Sequence, residues 1–166
     1  PRAHDRLTGG RPEVSLFSVH PSGLWLRGQA DYMADAHIGD YKTTADGTSR
    51  GFNRSVWSFR YYLQAAWYRR MARDLTGEEF DYLLIVQESE PPYLPAVFAL
   101  DDDYRRLGDL HMDRAIDLYL SCTASGIWPG YPDEIQTLSP PLYARDELLA
   151  REAGDVIAAL EALLEK

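Results

Sequence analysis

The sequence predicts an α/β fold in which helices flank a mixed β-sheet, with the element order βββαββα and one more helix near the C-terminal end. Three observations lead to this fold class. The segment before residue 44 alternates apolar and polar side chains, as half-buried strands do, and the period changes to three and four residues from about residue 54. Two further strand-like runs follow, and then a second helical pattern. Because a helix joins the third and fourth strands, their pairing is expected to be parallel, which makes the sheet mixed.

The three leading strands are predicted to form an antiparallel meander, because short turn sequences separate them. They cover residues 14–19, 24–34 and 37–43. Pro21-Ser22-Gly23 supplies the first turn and Asp35-Ala36 the second. A polar, glycine-containing loop is expected to follow from Thr44 to Asn53.

The helical patterns are bounded by residues that cap or stop helices. A single helix is predicted from about Arg54 to Leu75, with apolar residues at steps of three and four and Gly77 just past its end. Asp101-Asp102-Asp103 suits the N-terminus of a second helix, which runs to about Ala124. The other predicted elements are strands at 80–88 and 95–100, a proline-rich crossing at 128–141 and a last amphipathic helix at 146–164.

Length and composition agree with a single domain over residues 1–166. Of the 166 residues 45% are apolar, so the chain can bury a real core and is too short for two full domains. It has no apolar run of the roughly 18 residues that span a bilayer and no signal peptide, so a soluble, cytoplasmic protein is expected. Cys122 is the only cysteine, which excludes an internal disulfide and a four-cysteine metal cluster. We expect it to be a small buried apolar residue.

Asp31, Asp40 and Lys42 are the chief candidates for chemistry. The two aspartates lie on neighbouring predicted strands with eight residues between them, so a hairpin would bring the carboxylates side by side. Two close carboxylates repel unless a cation lies between them, and hard oxygen ligands suit Mg²⁺ or Mn²⁺. Lys42 lies two residues after Asp40 and therefore faces the same side of the strand. This pattern favours metal-assisted hydrolysis of a phosphodiester, although a solvated hairpin edge with a surface ion pair would use the same residues.

Three motifs occur in an order that resembles a known family. They are Gly28-x-x-Asp31, Asp40-Tyr41-Lys42-Thr43-Thr44 and Gln64-x-x-x-Tyr68, the last on one helix face. The sequence resembles the PD-(D/E)XK nuclease superfamily in its RecB-like branch, and within it the nuclease domains of the exonuclease VIII (RecE) type. Trp128-Pro129-Gly130-Tyr131 and the segment 138–144 extend the likeness, which covers residues 13–147. The resemblance implies a restriction-endonuclease-like sheet, and a chain that lacks the N-terminal helical part of the family.

The resemblance also implies roles within the site. Asp31, Asp40 and the backbone carbonyl of Tyr41 would bind one or two Mg²⁺ ions, for which Mn²⁺ would substitute. Lys42 would position the nucleophilic hydroxide. Gln64 would hydrogen-bond near the scissile phosphate or near this lysine.

Candidate DNA contacts follow the site along the chain. The net charge is −9, but residues 42–73 contain seven basic residues and one acidic residue. Such a local positive potential is sufficient for phosphate binding. The candidates are Tyr68, Thr43, Thr44, Arg50 and Arg54. Tyr68 could equally be a core residue, and the threonines could cap the strand end. Three further arginines could contact DNA or form a solvated helix face: Arg69, Arg70 and Arg73.

The sequence leaves two further metal ligands open. Glu13 begins the first strand and is either a third carboxylate at the metal or an exposed acid after a proline. RecB-like relatives also use a histidine from an upstream helix. His4 precedes Glu13 too closely to leave room for that helix, so the ligand is expected in sequence that this chain lacks. His37 is expected to face away from Asp40 and to be structural.

The resemblance implies a metal-dependent deoxyribonuclease, most concretely a 5′-to-3′ exonuclease acting on double-stranded DNA in phage-type recombination. Its partners would be double-stranded DNA, a single-strand annealing protein and further copies of the chain in a ring. Two other functions remain: a DNA-binding or scaffold domain of the same fold without turnover, and an acidic interaction domain with solvated charges. Binding of Mg²⁺ or Mn²⁺ by the aspartates would separate the enzyme from the acidic interaction domain.

Overall fold

The computed structural model describes residues 2–164, which divide into two compact units, one ending at Ile127 and the other beginning at Trp128. The elements of the first unit are α1 (Arg2–Asp5), β1 (Arg11–Val19), β2 (Trp25–Met33), β3 (His37–Thr44), α2 (Ser49–Ser58), α3 (Tyr61–Thr76), β4 (Asp81–Glu88), β5 (Pro95–Ala99) and α4 (Asp102–Ser125). The second unit contains helix α5 (Leu142–Leu164). No helix within the described residues is long and apolar enough to cross a membrane. The single domain over residues 1–166 stays a prediction.

The strands form one five-stranded sheet in the order β1-β2-β3-β4-β5. The pairs β1–β2, β2–β3 and β4–β5 are antiparallel, whereas β3 and β4 run parallel. The parallel pair arises because α2 and α3 carry the chain from the end of β3 back to the start of β4. The predicted mixed sheet, a meander followed by a helical crossover, is confirmed.

The main core lies between the sheet and the crossover helices. Ile38, Leu84 and Val86 extend from β3 and β4 into a cluster with Phe52 of α2 and Ala65 of α3. Each of these five side chains is at most 3% exposed. Burying an aliphatic or aromatic side chain of this size contributes on the order of 1.5–3 kcal/mol. The cluster therefore fixes α2 and α3 on the sheet face from which the β3 side chains project.

The single helix predicted from Arg54 to Leu75 is wrong, because two helices occupy this stretch and part of the loop before it. α2 begins earlier than predicted because the Thr48 side chain accepts a hydrogen bond from Gly51 N and caps the helix. Between α2 and α3 the backbone of Arg60 is left-handed, with φ 56° and ψ 41°. The apolar spacing continues across this break, so periodicity does not reveal it.

Helix α3 is held between the sheet and α4, and its contact with α4 depends on Gly108. A Cβ at this position would lie 2.4 Å from the backbone oxygen of Tyr62 and 2.9 Å from Cβ of Ala66. The absence of a side chain therefore lets the two helices approach closely. This packing positions the helix that carries Gln64 and Tyr68.

Candidate active site

The β2–β3 hairpin brings Asp31 and Asp40 together at one end of the sheet. Tyr32 of β2 pairs with Gly39 of β3, so one step further along the hairpin the two aspartates come opposite each other. Tyr41 N donates a 3.0 Å hydrogen bond to Asp31 Oδ2. The Asp31 carboxylate is thereby anchored across the hairpin, beside the residue that follows Asp40.

Asp40 is a buried carboxylate with two side-chain neighbours of different kinds. Its side chain is only 2% exposed. Gln64 Nε2 donates a long hydrogen bond of 3.4 Å to Asp40 Oδ1. Lys42 Nζ lies 2.6 Å from Asp40 Oδ2 as an ion pair, yet this approach is not aligned as a hydrogen bond, and Oδ2 has no hydrogen-bond partner among the described residues. The aspartate is thus charge-paired but incompletely solvated by the protein.

The electrostatics of Asp40 follow from this environment. Burial raises the pKa of the Asp40 carboxyl from its ordinary value of 3.8 to about 6, because the charged form loses its hydration. The nearby Lys42 ammonium opposes this rise in the pKa, and the negative charge of Asp31 adds to it. A cation placed between the carboxylates would reverse the balance in favour of the ionised form.

Lys42 is fixed by an aromatic ring as well as by Asp40. Asp40 and Lys42 are two apart on β3 and share one face of the strand. The Lys42 ammonium lies 4.9 Å from the centroid of the Tyr61 ring, a distance typical of a cation–π contact. Tyr61 is the first residue of α3, so the start of that helix forms one wall of the site.

Gln64 and Tyr68 lie one turn apart on α3, and both reach the site. Gln64 contacts Asp40, whereas Tyr68 stacks on Tyr82 of β4 with 6.3 Å between ring centroids. A Cβ added to Gly28 would lie 2.6 Å from Cε1 of Tyr68. Gly28 of the first motif is therefore required by the position of Tyr68 in the third motif. Tyr68 is a partly buried packing residue, and its predicted contact with DNA stays a prediction.

Tyr82 is a residue of this site that the sequence analysis missed. Its side chain is 3% exposed, and its hydroxyl has no hydrogen-bond partner among the described residues. Burial raises the pKa of the Tyr82 phenol well above its ordinary value, and the nearby Asp40 charge raises it further. The only signal in the sequence is that Tyr82 alternates with Leu84 and Val86, so a polar tip lies on an otherwise apolar strand face.

Glu13 lies in β1 at the position opposite Asp31 of β2, and its side chain is hydrogen-bonded to a neighbouring glutamine. Its backbone has φ 51°, and its exposed side chain accepts a 2.7 Å hydrogen bond from Gln29 Nε2. Within residues 2–164 no group of three or more His, Cys, Asp and Glu side chains is arranged to hold a metal ion. The role of Glu13 as a third carboxylate stays a prediction.

The histidines bond outside the pair of aspartates. His37 Nε2 lies 2.8 Å from the backbone oxygen of Arg6, next to the turn of the hairpin, which agrees with the expected structural role. His111 Nδ1 lies 3.3 Å from the Tyr62 hydroxyl, and His20 Nδ1 lies 2.8 Å from the Ser22 hydroxyl. His4 lies on α1 and is exposed.

The structure divides the basic segment after the site into paired and unpaired cations. Three of its arginines contact acidic side chains: Arg69 with Glu79, Arg70 with Asp113, and Arg73 with Glu79. Arg50 and Arg54 of α2 are exposed and have no carboxylate within 4 Å among the described residues. Hydrogen bonds from Thr48 lower the pKa of Asp46, and the nearby charge of Arg54 lowers it further. Of these five arginines, the two on α2 are therefore the ones that remain available to phosphates.

Thr43 and Thr44 end β3 in different environments. The Thr44 hydroxyl donates to Asp46 O and accepts from Asp46 N, both at 3.3 Å, so it closes the loop after the strand. Thr43 is exposed and pairs in register with Gln87 of β4. Thr44 thus has the capping role that the sequence left open, and contact of either threonine with phosphate stays a prediction.

The donor atoms at Asp31 and Asp40 fit a small divalent cation. Asp40 Oδ2 is buried without a hydrogen bond, and the raised pKa of this carboxyl means that its charge is poorly stabilised in the metal-free protein. Mg²⁺ binds through oxygen ligands, commonly one or two carboxylates, and keeps several water molecules. Two carboxylates and the Tyr41 carbonyl are therefore a sufficient donor set.

The fold and the site together define a restriction-endonuclease-like α/β domain, in which a hairpin presents two aspartates and a lysine beside a crossover helix. The chain belongs to the family described as a PDDEXK-like domain of unknown function (DUF3799), whose model matches residues 2–140. No curated protein matches the sequence.

One solved structure agrees with this chain at the level of the fold. The chain superimposes on the crystal structure of a candidate exonuclease from Eubacterium rectale with a TM-score of 0.66 and 17% sequence identity. The match covers 88% of this chain and 59% of that one, so the chain spans little more than half the length of that structure. The crystal structure of SSO0001 matches with a TM-score of 0.41 and 14% identity, over 76% of this chain and 64% of the other. The family and the fold together support a nuclease.

Proposed function

We propose that this protein is a metal-dependent deoxyribonuclease, and specifically a 5′-to-3′ exonuclease acting on double-stranded DNA. One observation carries the proposal. In a PDDEXK-like domain, the buried Asp40 lies beside Asp31 and is contacted by both Lys42 and Gln64. If the hairpin edge were merely solvated, Asp40 would be exposed, because burying a charged carboxylate to 2% exposure is costly. The structural relative from Eubacterium rectale is described as a candidate exonuclease, which supports exonuclease activity as the proposed function.

Asp31, Asp40 and the Tyr41 carbonyl would hold Mg²⁺, for which Mn²⁺ would substitute, and Glu13 is a further candidate. When bound, such an ion supplies Lewis acidity toward a phosphate oxygen and lowers the pKa of a coordinated water. The protein's own contribution is to hold two carboxylates close together against their repulsion, in a position where Gln64 orients one of them.

Lys42 supplies the positive charge that the proposed reaction requires near the phosphate. In the metal-free protein it pairs with Asp40. With that carboxylate serving as a metal ligand, the Lys42 ammonium would be available to orient the attacking water and to stabilise negative charge that develops on the phosphate. The oxygen of that water would bond to phosphorus while the bond to the 3′ oxygen breaks. The water would give up one proton to solvent, and a proton from solvent would complete the 3′-OH. The other product carries a 5′-phosphate.

The setting of the reaction is proposed on the same basis. Double-stranded DNA degraded from 5′ ends leaves a 3′ overhang, which suits a single-strand annealing partner in phage-type recombination. A ring of several copies would keep the enzyme on its DNA, and the cytoplasm of a bacterium is the compartment where such DNA is found. Arg50 and Arg54, unpaired on α2, are the proposed phosphate contacts.

A second candidate is a domain that binds DNA or serves as a scaffold without turnover. The observation in its favour is that Glu13 bonds to Gln29 and no third acidic side chain among the described residues joins the two aspartates. Mutation and metal dependence separate the two functions.

The test is digestion of end-labelled linear duplex DNA with Mg²⁺, Mn²⁺, Ca²⁺ or EDTA, with closed circular DNA in parallel. We expect loss of linear DNA only, in Mg²⁺ or Mn²⁺, and release of label from the 5′ end first. Asp40→Ala should abolish it. Asp35→Asn, an exposed aspartate in the turn of the same hairpin, is the matched control and should digest DNA normally. DNA binding without cleavage under every condition would establish the second candidate instead.

A further inference from the structure

A groove of about 490 Å³ opens beside the candidate active site, at the junction of α2 and α3. Its walls include Arg27 of β2, Phe59 and Arg60 at the junction, and Trp67 of α3. Trp67 Nε1 donates a 3.1 Å hydrogen bond to Arg27 O, which ties the two walls together. Gln64 also lines the groove and bonds to Asp40, so this one side chain links the groove to the candidate active site.

The groove has an exposed aromatic ring that the fold does not cover. Phe59 is 68% exposed and stacks on Tyr61, with 5.7 Å between ring centroids. Tyr61 in turn contacts the Lys42 ammonium. Two successive contacts, Lys42 with Tyr61 and Tyr61 with Phe59, therefore connect the lysine of the candidate site to the exposed ring. A single exposed ring is ordinary, whereas a ring stacked in line with the active site has a position that a ligand would use.

The groove also has a cation without an acidic partner. Arg60 has no carboxylate within 4 Å among the described residues, in contrast to Arg69, Arg70 and Arg73 on the same crossover. Arg27 contributes its backbone to the groove, since its guanidinium lies 5.9 Å from the centroid of the Phe17 ring of β1. The charge of Arg60 is complementary to phosphate.

Arg60 occupies a backbone conformation that favours glycine or asparagine. Its φ of 56° and ψ of 41° lie in the left-handed region, and its side chain does not cap α3. For a residue with a Cβ this conformation costs on the order of 1–2 kcal/mol. Asparagine would adopt the same backbone conformation with less strain. The strained conformation of Arg60 coincides with a position at which its guanidinium lines the groove.

We propose that this junction binds the unpaired nucleotides of a DNA strand next to the scissile phosphate, with Phe59 stacking on a base and Arg60 contacting a phosphate. The inference rests on the proposed function and deepens it, because it specifies that the strand reaches the aspartates separated from its complement. The faces of paired bases are covered by their neighbours in the duplex, whereas an unpaired base offers a free face to an aromatic side chain. A surface that bound only duplex phosphates would need the arginine but not the ring.

The test compares the affinity of a 12-nucleotide oligothymidylate with that of a 12-base-pair blunt duplex, by fluorescence anisotropy in Ca²⁺ or EDTA. Phe59→Ala should weaken binding of the oligothymidylate about tenfold, the loss of roughly one stacked base, and change duplex affinity less than twofold. Phe59→Trp should retain the single-strand affinity of the wild type, because tryptophan can also stack on a base. Arg60→Asn keeps the left-handed turn and should lower the slope of log affinity against log salt by about 0.7 for the single strand. The matched controls are Trp25→Ala, which removes another exposed aromatic residue, and Arg73→Gln, which removes a paired arginine; neither should alter single-strand binding.

Equal losses for single-stranded and duplex DNA in Phe59→Ala, or no loss in either, would overturn the inference. The melting temperature of each variant shows whether a loss of affinity reflects unfolding, and the retained affinity of Phe59→Trp supports stacking independently. The proposed function can fail separately. If single-strand binding depends on Phe59 but no DNA is cut with any metal, single-strand binding at the junction is supported and nuclease activity is refuted. If DNA is cut and Phe59→Ala binds single strands normally, only the inference fails.

Discussion

At the scale of the residue, Asp40 is the group whose surroundings decide what the site can do. The fold buries a carboxylate, gives it one long hydrogen bond from Gln64, and places a second carboxylate beside it. Burial raises the pKa of Asp40 to about 6, above the value near 3.9 expected in the unfolded chain. Between these pH values the folded protein binds more protons than the unfolded chain. The free energy of unfolding therefore falls as pH rises from about 4 to about 6, and stays lower above that range.

This arrangement makes a prediction for Asp40→Asn in the metal-free protein. Two pKa units correspond to about 3 kcal/mol, which the wild-type protein loses between pH 4 and pH 8 and the amide variant does not. We expect the stability of Asp40→Asn relative to wild type to increase by a few kcal/mol over this range, as measured by urea unfolding in EDTA at both pH values. Asp35→Asn, in the exposed turn, should show no such pH-dependent difference. A gap between wild type and Asp40→Asn that does not change with pH would contradict the burial of a charged Asp40.

Lys42 gives a second prediction at this scale. Lys42→Ala should reduce DNA hydrolysis by at least about 100-fold, because it removes the only cation in contact with Asp40 among the described residues and with it the stabilisation of charge on the phosphate. Folding and DNA binding should remain largely intact, since the side chain is partly exposed and contributes little to the core. Single-turnover cleavage and duplex binding measure the two properties separately. Unchanged cleavage would refute the proposed mechanism.

At the scale of the element, periodicity in the sequence predicts the strands and their pairing, but it does not predict a local break between two helices. Alternation defines the three leading strands, and the hairpin that joins Asp31 to Asp40 follows from them. The parallel pairing of β3 with β4 follows from the helical crossover. The break at Arg60 could not be predicted, because a left-handed arginine has no signature in composition and the apolar spacing continues through it. Tyr82 was missed because its role depends on pairing between strands that are distant in sequence.

The contact between β2 and α3 is an element-scale feature with a testable consequence. Gly28→Ala would place a methyl group 2.6 Å from the Tyr68 ring and 3.3 Å from Met71 Sδ, so the helix or the ring must move. We expect a loss of about 1–3 kcal/mol in the free energy of unfolding, the usual cost of overpacking a core. In the background of Tyr68→Ala the same substitution should cost much less, because the clashing ring is gone. A double-mutant cycle by urea unfolding measures this coupling, and independent, additive effects would argue against the contact.

At the scale of the whole molecule, the distribution of charge matters more than its sum. The chain is acidic, yet the segment from Lys42 to Arg73 contains seven cations and one acid. The structure removes several of these cations from consideration, because Arg69, Arg70 and Arg73 are paired with acidic side chains. What remains near the aspartates is a small positive region inside a negative protein. Such a protein is expected to bind DNA through few phosphates, and therefore with a shallow dependence on salt.

The salt dependence of duplex binding tests this distribution. Each cation that contacts a phosphate of duplex DNA contributes about 0.9 to the slope of log affinity against log salt. The double variant Arg50→Gln and Arg54→Gln should therefore lower the slope by nearly 2, with the melting temperature unchanged, because both side chains are exposed and neither belongs to the core. Arg70→Gln, on α3 and paired with Asp113, should leave the slope as it is. If instead the paired arginine changes the slope and the α2 pair does not, its ion pairs must open on binding, and DNA would then cross the outer face of α3 instead of α2.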